Sequence, residues 1–110
     1  MPKYLFITGT NTDVGKTFIG TKLIKGLNKK YSCLVFKPIE TGCVKKKGVL
    51  IPEDSSKYYS IVNKVMDLDE LNPYRFIPPI SPYLAIKRAK RKIFLKDYYT
   101  KLKVISKNAP

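Results

Sequence analysis

Apolar residues in this chain gather in short runs divided by lysine-rich or proline-rich stretches. Tyr4-Leu5-Phe6-Ile7 is a continuous apolar run too short for a helix, and residues 3–8 read as a buried parallel strand. From residue 16 to 28 the period changes. Phe18, Ile19, Leu23, Ile24 and Leu27 recur near i, i+4 and i+8 with lysines between them, which predicts an amphipathic helix facing a core. Asn28-Lys29-Lys30 closes it with cations suited to the negative end of a helix dipole. Cys33-Leu34-Val35-Phe36 reads as a second strand, which Pro38 ends. A strand–loop–helix–strand opening favours a parallel sheet with a right-handed crossover.

Beyond Pro38 the pattern is less regular. Lys45 to Ile51 reads as a flexible excursion. Pro52-Glu53-Asp54-Ser55-Ser56 carries helix-start chemistry ahead of Tyr58, Tyr59, Ile61, Val62 and Val65, with Asp54 as a candidate N-cap. Residues 72–82 hold Pro73, Pro78, Pro79 and Pro82 and are expected to form loop or short extended strand. Ser81-Pro82 suits an N-cap followed by proline at N1, so a helix is expected from 82 to near 90. Residues 95–106 predict one more amphipathic helix.

Composition narrows the class. At 110 residues, 44% of them apolar, the chain allows one domain with a core. No apolar run approaches a membrane span, and Met1-Pro2-Lys3 lacks the apolar stretch of a secretory signal. Cys33 and Cys43 give neither a disulfide framework nor metal-ligand spacing, and histidine is absent. The expectation is a reduced, cytoplasmic protein with no membrane partner. Net charge is +14, but it is spread along the chain and is dense only from Lys87 to Lys107. Arginine occurs only at 75, 88 and 91, so bidentate reading of bases or phosphates is poorly supplied. The charge reads as solvated helix faces, and no nucleic-acid partner is expected.

One segment carries specific chemistry. Gly9-Thr10-Asn11-Thr12-Asp13-Val14-Gly15-Lys16-Thr17 lies between the first strand and the first helix. That order makes a phosphate-binding loop, in which consecutive backbone N–H groups converge at a helix N-terminus. Lys16 supplies a point charge for the β- and γ-phosphates, and the Thr17 hydroxyl suits Mg²⁺. The usual pattern places its first glycine where Thr10 stands here, and Gly9 precedes it by one residue. The ligand expected is a nucleoside triphosphate. Lys37-Pro38-Ile39-Glu40-Thr41-Gly42 is expected as a loop at the carboxyl end of the second strand, the edge at which open α/β sheets bind ligands. The phosphate loop lies at the same edge.

Three blocks together resemble the dethiobiotin synthetases, ATP-dependent ligases of biotin synthesis. They are Phe6 to Thr17; Lys37-Pro38-Ile39-Glu40-Thr41-Gly42 followed by Asp54; and Asn72-Pro73-Tyr74-Arg75-Phe76 leading to Ser81-Pro82-Tyr83-Leu84-Ala85. The resemblance reaches to about residue 90. It implies an α/β fold of the P-loop NTPase type, a parallel sheet with flanking helices. Residues 1–110 would form a single ATP-binding domain, incomplete here because members of that family are longer. The chain by itself is expected to fold poorly and to be inactive. The implied reaction carboxylates 7,8-diaminononanoate with CO₂, phosphorylates the carbamate with ATP and closes a cyclic urea, releasing ADP and phosphate.

The resemblance also implies roles. Asp13, Val14, Gly15, Lys16, Thr17 and Phe18 would wrap the nucleotide with Asp54. Thr17 and Asp54 would ligate Mg²⁺. Lys37 and Lys16 would be catalytic, and Thr41 and Thr12 would contact the diamine or its carbamate. A homodimer is implied as well. Asp13 stands where the family more often has Glu. Two other classes compete: a partitioning-type or regulatory P-loop ATPase acting as a switch, and a basic nucleic-acid-binding module. Against the first, Asn11 stands where those ATPases carry an extra lysine.

Overall fold

The computed structural model describes residues 4–7 and 15–107. Among the described residues five helices and four short strands follow one another: α1 (Lys16–Asn28), β1 (Ile39–Glu40), β2 (Val44–Lys46), β3 (Val49–Ile51), α2 (Glu53–Val62), α3 (Leu68–Leu71), β4 (Tyr74–Arg75), α4 (Pro82–Arg88) and α5 (Leu95–Lys107). The helices expected from periodicity are present. Helix α4 starts as anticipated, with Pro82 at its first position and the Ser81 hydroxyl accepting the Leu84 N–H at 3.4 Å. At α5 the Asp97 carboxylate accepts the Phe94 N–H at 2.7 Å, which satisfies one of the free donors of the first turn.

The parallel sheet is present but lies elsewhere than expected. Strands β1 and β4 pair in parallel, Ile39 beside Tyr74 and Glu40 beside Arg75. Hydrogen bonds extend this pairing both ways. Lys37 donates to the Leu71 carbonyl (2.9 Å), Tyr74 to Pro38 (2.9 Å), Phe76 to Glu40 (2.9 Å) and Cys43 to Phe76 (3.0 Å). Pro38 therefore does not end the strand. It contributes a carbonyl to the ladder, at a register where its missing N–H is not needed.

Residues 33–36, expected as the second strand, form no ladder among the described residues. Leu34, Val35 and Phe36 instead pack their side chains on the core. Residues 4–7 form no strand either, and Phe6 is 87% exposed. An apolar run becomes a buried parallel strand only where neighbours pair with it and cover it, and no described segment does so here. For the same reason Phe18 and Ile19, expected to face the core, lie 67% and 60% exposed on α1.

The stretch expected as a flexible excursion is a hairpin. Strands β2 and β3 pair antiparallel, Val44 with Ile51 and Lys46 with Val49. Lys47 (φ 50°) and Gly48 (φ 81°) both take the left-handed conformation that a tight two-residue hairpin turn requires.

The core gathers Val62 of α2, Met66, Leu71 of α3 and Ile105 of α5, with Ile24 of α1 and residues 34–36 packed against it. Leu71 and Val62 are 0% and 1% exposed, and burying a side chain of that size contributes about 1.5–3 kcal/mol. Tyr74 and Tyr98 meet edge-to-face, centroids 5.6 Å apart, which brings α5 against β4. No helix among the described residues is long and apolar enough to cross a membrane.

Candidate active site

Helix α2 begins behind Pro52, which has no side-chain acceptor, and no side chain of its own caps it. Asp54, a candidate N-cap on sequence grounds, does not do so. Its carboxylate turns instead to Lys37, Oδ2 lying 3.8 Å from Nζ, with a third or more of each side chain exposed. Capping comes from a distance. Glu40 in β1 accepts the Asp54 N–H on Oε2 at 3.0 Å. Its Oε1 accepts the Ser55 N–H at 2.8 Å and the Ser55 hydroxyl at 2.7 Å. Glu40 is 6% exposed and Ser55 0%. A carboxylate at a helix N-terminus satisfies its orphan donors and complements its dipole.

The paired stretch holds Lys37 from the other side. Its N–H bonds to Leu71, and its carbonyl accepts the Asn72 side-chain amide at 2.7 Å. Asn72 is fully buried, and its Oδ1 accepts the Arg75 Nε–H at 3.1 Å. Arg75 reaches on to the Leu50 carbonyl (3.4 Å) and to Asp69 (2.7 Å). One guanidinium thus joins β4, β3 and α3, and through Asn72 it is linked to the Lys37 backbone. Thr41 follows β1 directly and is half-buried.

The triphosphate side of the expected site rests on α1. Gly15 precedes it in the left-handed conformation (φ 84°), and Lys16, Thr17 and Phe18 form its first turn. Thr12, Asp13 and Val14 lie outside the described residues. Helices α1 and α2 meet at Gly20, where an added Cβ would overlap the Tyr58 hydroxyl. Gly20 is one turn beyond Thr17, and Tyr58 one turn beyond Asp54. Burial, and then the Asp54 charge, push the Tyr58 phenol above its ordinary range.

The structure therefore brings Lys37, Glu40 and Asp54 together, with Thr41 adjoining in the chain. Among the described residues no three His, Cys, Asp or Glu side chains cluster as a metal centre. One hydroxyl, Thr17, and one partly exposed carboxylate, Asp54, are too few for a structural metal. They do suit Mg²⁺, which keeps several waters and shares its sphere with substrate phosphates. Glu40 and Asn72 stand in blocks that sequence reasoning singled out, but their part in holding Asp54 and Lys37 was not anticipated. A proline at the N-cap of α2 was the available signal, since its helix needs an acceptor from elsewhere.

A family model described as an AAA domain matches residues 3–108. ATP-dependent dethiobiotin synthetase BioD of Aeromonas salmonicida is 39% identical over 97 residues, covering 87% of this chain and 43% of the relative. The Fusobacterium nucleatum protein of the same name is 41% identical over 83 residues, 76% of this chain and 37% of its own length. That of Clostridium botulinum is 33% identical over 105 residues, 91% of this chain and 46% of its own. The chain thus spans less than half the length of these relatives. The similarity favours neither a switch ATPase nor a nucleic-acid module. Because the family model matches nearly the whole chain, from residue 3 to residue 108, the chain belongs to the AAA-domain family, and the relatives named above, to which it is similar, are ATP-dependent dethiobiotin synthetases.

Proposed function

We propose that this chain carries the ATP site and part of the diamine site of an ATP-dependent dethiobiotin synthetase. The observation that supports it best is the Lys37–Asp54 pair, held at 3.8 Å by a buried helix cap and a backbone ladder. The substrates are ATP, CO₂ and 7,8-diaminononanoate. A carbamate and a γ-phosphate are both anions, and bringing them together needs fixed cations in a site that sheds water. Lys37 supplies one beside the carbamate, and Lys16 supplies the other at the phosphates. Thr41 hydrogen-bonds the diamine or its carbamate, and Thr12 adds a second contact. Asp13, Val14, Gly15, Lys16, Thr17, Phe18 and Asp54 surround the nucleotide. Positioning and charge stabilisation carry the phosphoryl step, with no covalent enzyme intermediate. The second amine then closes the ring and phosphate leaves.

Thr17 and Asp54 would hold Mg²⁺, which would supply charge neutralisation at the triphosphate. The Lys37 ammonium, 3.8 Å from the Asp54 carboxylate, holds that carboxylate in a fixed direction. The working unit is a homodimer in the cytoplasm.

The test uses the protein expressed over its whole natural reading frame. Phosphate release should require the diamine, bicarbonate and Mg²⁺ together. Lys37→Ala should abolish turnover and leave nucleotide affinity within a few-fold. Normal turnover in Lys37→Ala would sink this assignment.

A further inference from the structure

We infer that Glu40 is a positioning residue of this site: it fastens the strand carrying Lys37 and Thr41 to the helix turn carrying Asp54. The inference rests on the functional reading above, in which Asp54 serves the metal side and Lys37 and Thr41 the carbamate side.

A helix that begins behind Pro52 could be capped locally by Ser, Thr, Asp or Asn at that position. Here the acceptor comes instead from β1, 14 and 15 residues away. The cap therefore exists only when β1 is in place. Each carboxylate oxygen has its own task. Oε1 serves Ser55 alone, through N–H and hydroxyl, whereas Oε2 serves the N–H of Asp54 itself. The backbone of Asp54 is thus set by a residue directly beside Thr41. At 6% exposure Glu40 has little access to water, so no solvent molecule replaces it freely. Its carbonyl is also held, by the Phe76 N–H at 2.9 Å, so the residue that caps α2 is fixed in register against the β4 stretch.

The two oxygens allow position to be separated from stability. Glu40→Gln keeps an acceptor for Ser55 and turns a donor toward the Asp54 N–H, which loses its partner. Glu40→Asp keeps the carboxylate but draws it back by one methylene. Ser55→Ala removes the hydroxyl bond to Oε1 and leaves the Asp54 bond intact. For the full-length protein, Mg²⁺ would be titrated against binding of a fluorescent ATP analogue, with thermal unfolding recorded alongside.

Glu40→Gln should raise the Mg²⁺ half-saturation by about tenfold or more, the usual weight of a hydrogen bond to a charged group. Metal-free nucleotide binding should change less than about twofold, since α1 is untouched. Glu40→Asp should fall between Gln and wild type. Ser55→Ala should lower the unfolding temperature and leave the Mg²⁺ half-saturation where it was. Equal Mg²⁺ shifts in Ser55→Ala and Glu40→Gln would reduce Glu40 to a general stabiliser and overturn the proposal. If Glu40→Gln fails to fold, a wild-type Mg²⁺ midpoint in Glu40→Asp overturns it equally. Wild-type binding with no Mg²⁺ dependence would overturn it as well. Should the protein bind Mg²⁺ and ATP yet form no cyclic urea, the ligase reading fails by itself, and the Mg²⁺ titration still decides the role of Glu40.

Discussion

Two glycines in α1 should respond differently to the same substitution, one gaining stability and the other gaining none. Gly20 and Gly26 both lie inside the helix, and alanine is favoured over glycine there by about 0.8–1.0 kcal/mol. At Gly26 an added Cβ meets nothing within 4 Å. Gly26→Ala should therefore collect the whole propensity gain. At Gly20 the Cβ would overlap the Tyr58 hydroxyl and lie 2.9 Å from its Cζ and 3.2 Å from Cε1. The ring is half-buried and packs on the core, so it cannot swing away freely. Overpacking of this kind costs about 1–3 kcal/mol. After the propensity gain is subtracted, Gly20→Ala should be neutral to about 2 kcal/mol destabilising. The gap between the two variants is then about 1–3 kcal/mol. Urea denaturation of the full-length protein, followed by circular dichroism, measures both. A cycle with Tyr58→Phe removes the nearest atom. It should recover part of the Gly20→Ala loss, with a coupling of at least about 0.5 kcal/mol, and leave Gly26→Ala unchanged. Because this contact joins the helices carrying Thr17 and Asp54, Gly20→Ala should also weaken Mg²⁺-dependent nucleotide binding. Equal stabilisation by the two alanines would refute the packing reasoning.

Other expectations follow from the same geometry. Arg75→Met leaves the buried Asn72 carbonyl oxygen without its donor and should cost about 2–3 kcal/mol in urea denaturation. Asp69→Asn touches only the exposed arm of the same guanidinium and should cost under about 1 kcal/mol; comparable losses would show that the surface ion pair matters more than the buried bond. Burial pushes the Cys43 thiol above its ordinary 9.0, and the Tyr58 and Tyr98 phenols above their ordinary 10.0. Raised values favour the protonated forms in the fold, so the unfolded chain loses these protons first as pH rises. Their contribution is complete below pH 9.0 and declines above it, through 10.0 and beyond. The urea midpoint should therefore fall less steeply over this alkaline range in Cys43→Ala than in wild type, and parallel slopes would refute burial as the cause.

Helices α1, α2, α4 and α5 were legible in the sequence because a helix satisfies its own backbone; the single turn of α3 was not anticipated. Period, cap and proline position all lie within the segment, and α1, α4 and α5 formed where those signals stand. The phosphate-loop motif was legible for a similar reason: its residue types are local and specific, and the family match from residue 3 to residue 108 agrees with it. The hairpin of β2 and β3 was hidden by Lys45, Lys46 and Lys47, which read as a solvated tract although Lys47-Gly48 builds the turn.

The strands depended on partners that periodicity does not name. Tyr4 to Ile7 and Cys33 to Phe36 are more apolar than Lys37 to Glu40, yet it is Lys37 to Glu40 that found the other half of a ladder, at Leu71 to Phe76. The site shows the same division. Sequence alone nominated Lys37, Thr41 and Asp54 as residue types suited to charge and metal. Only the tertiary structure set Lys37 against Asp54 and made Glu40 the cap of α2, because those contacts join segments 14 or more residues apart, and nothing within either segment encodes the distance between them.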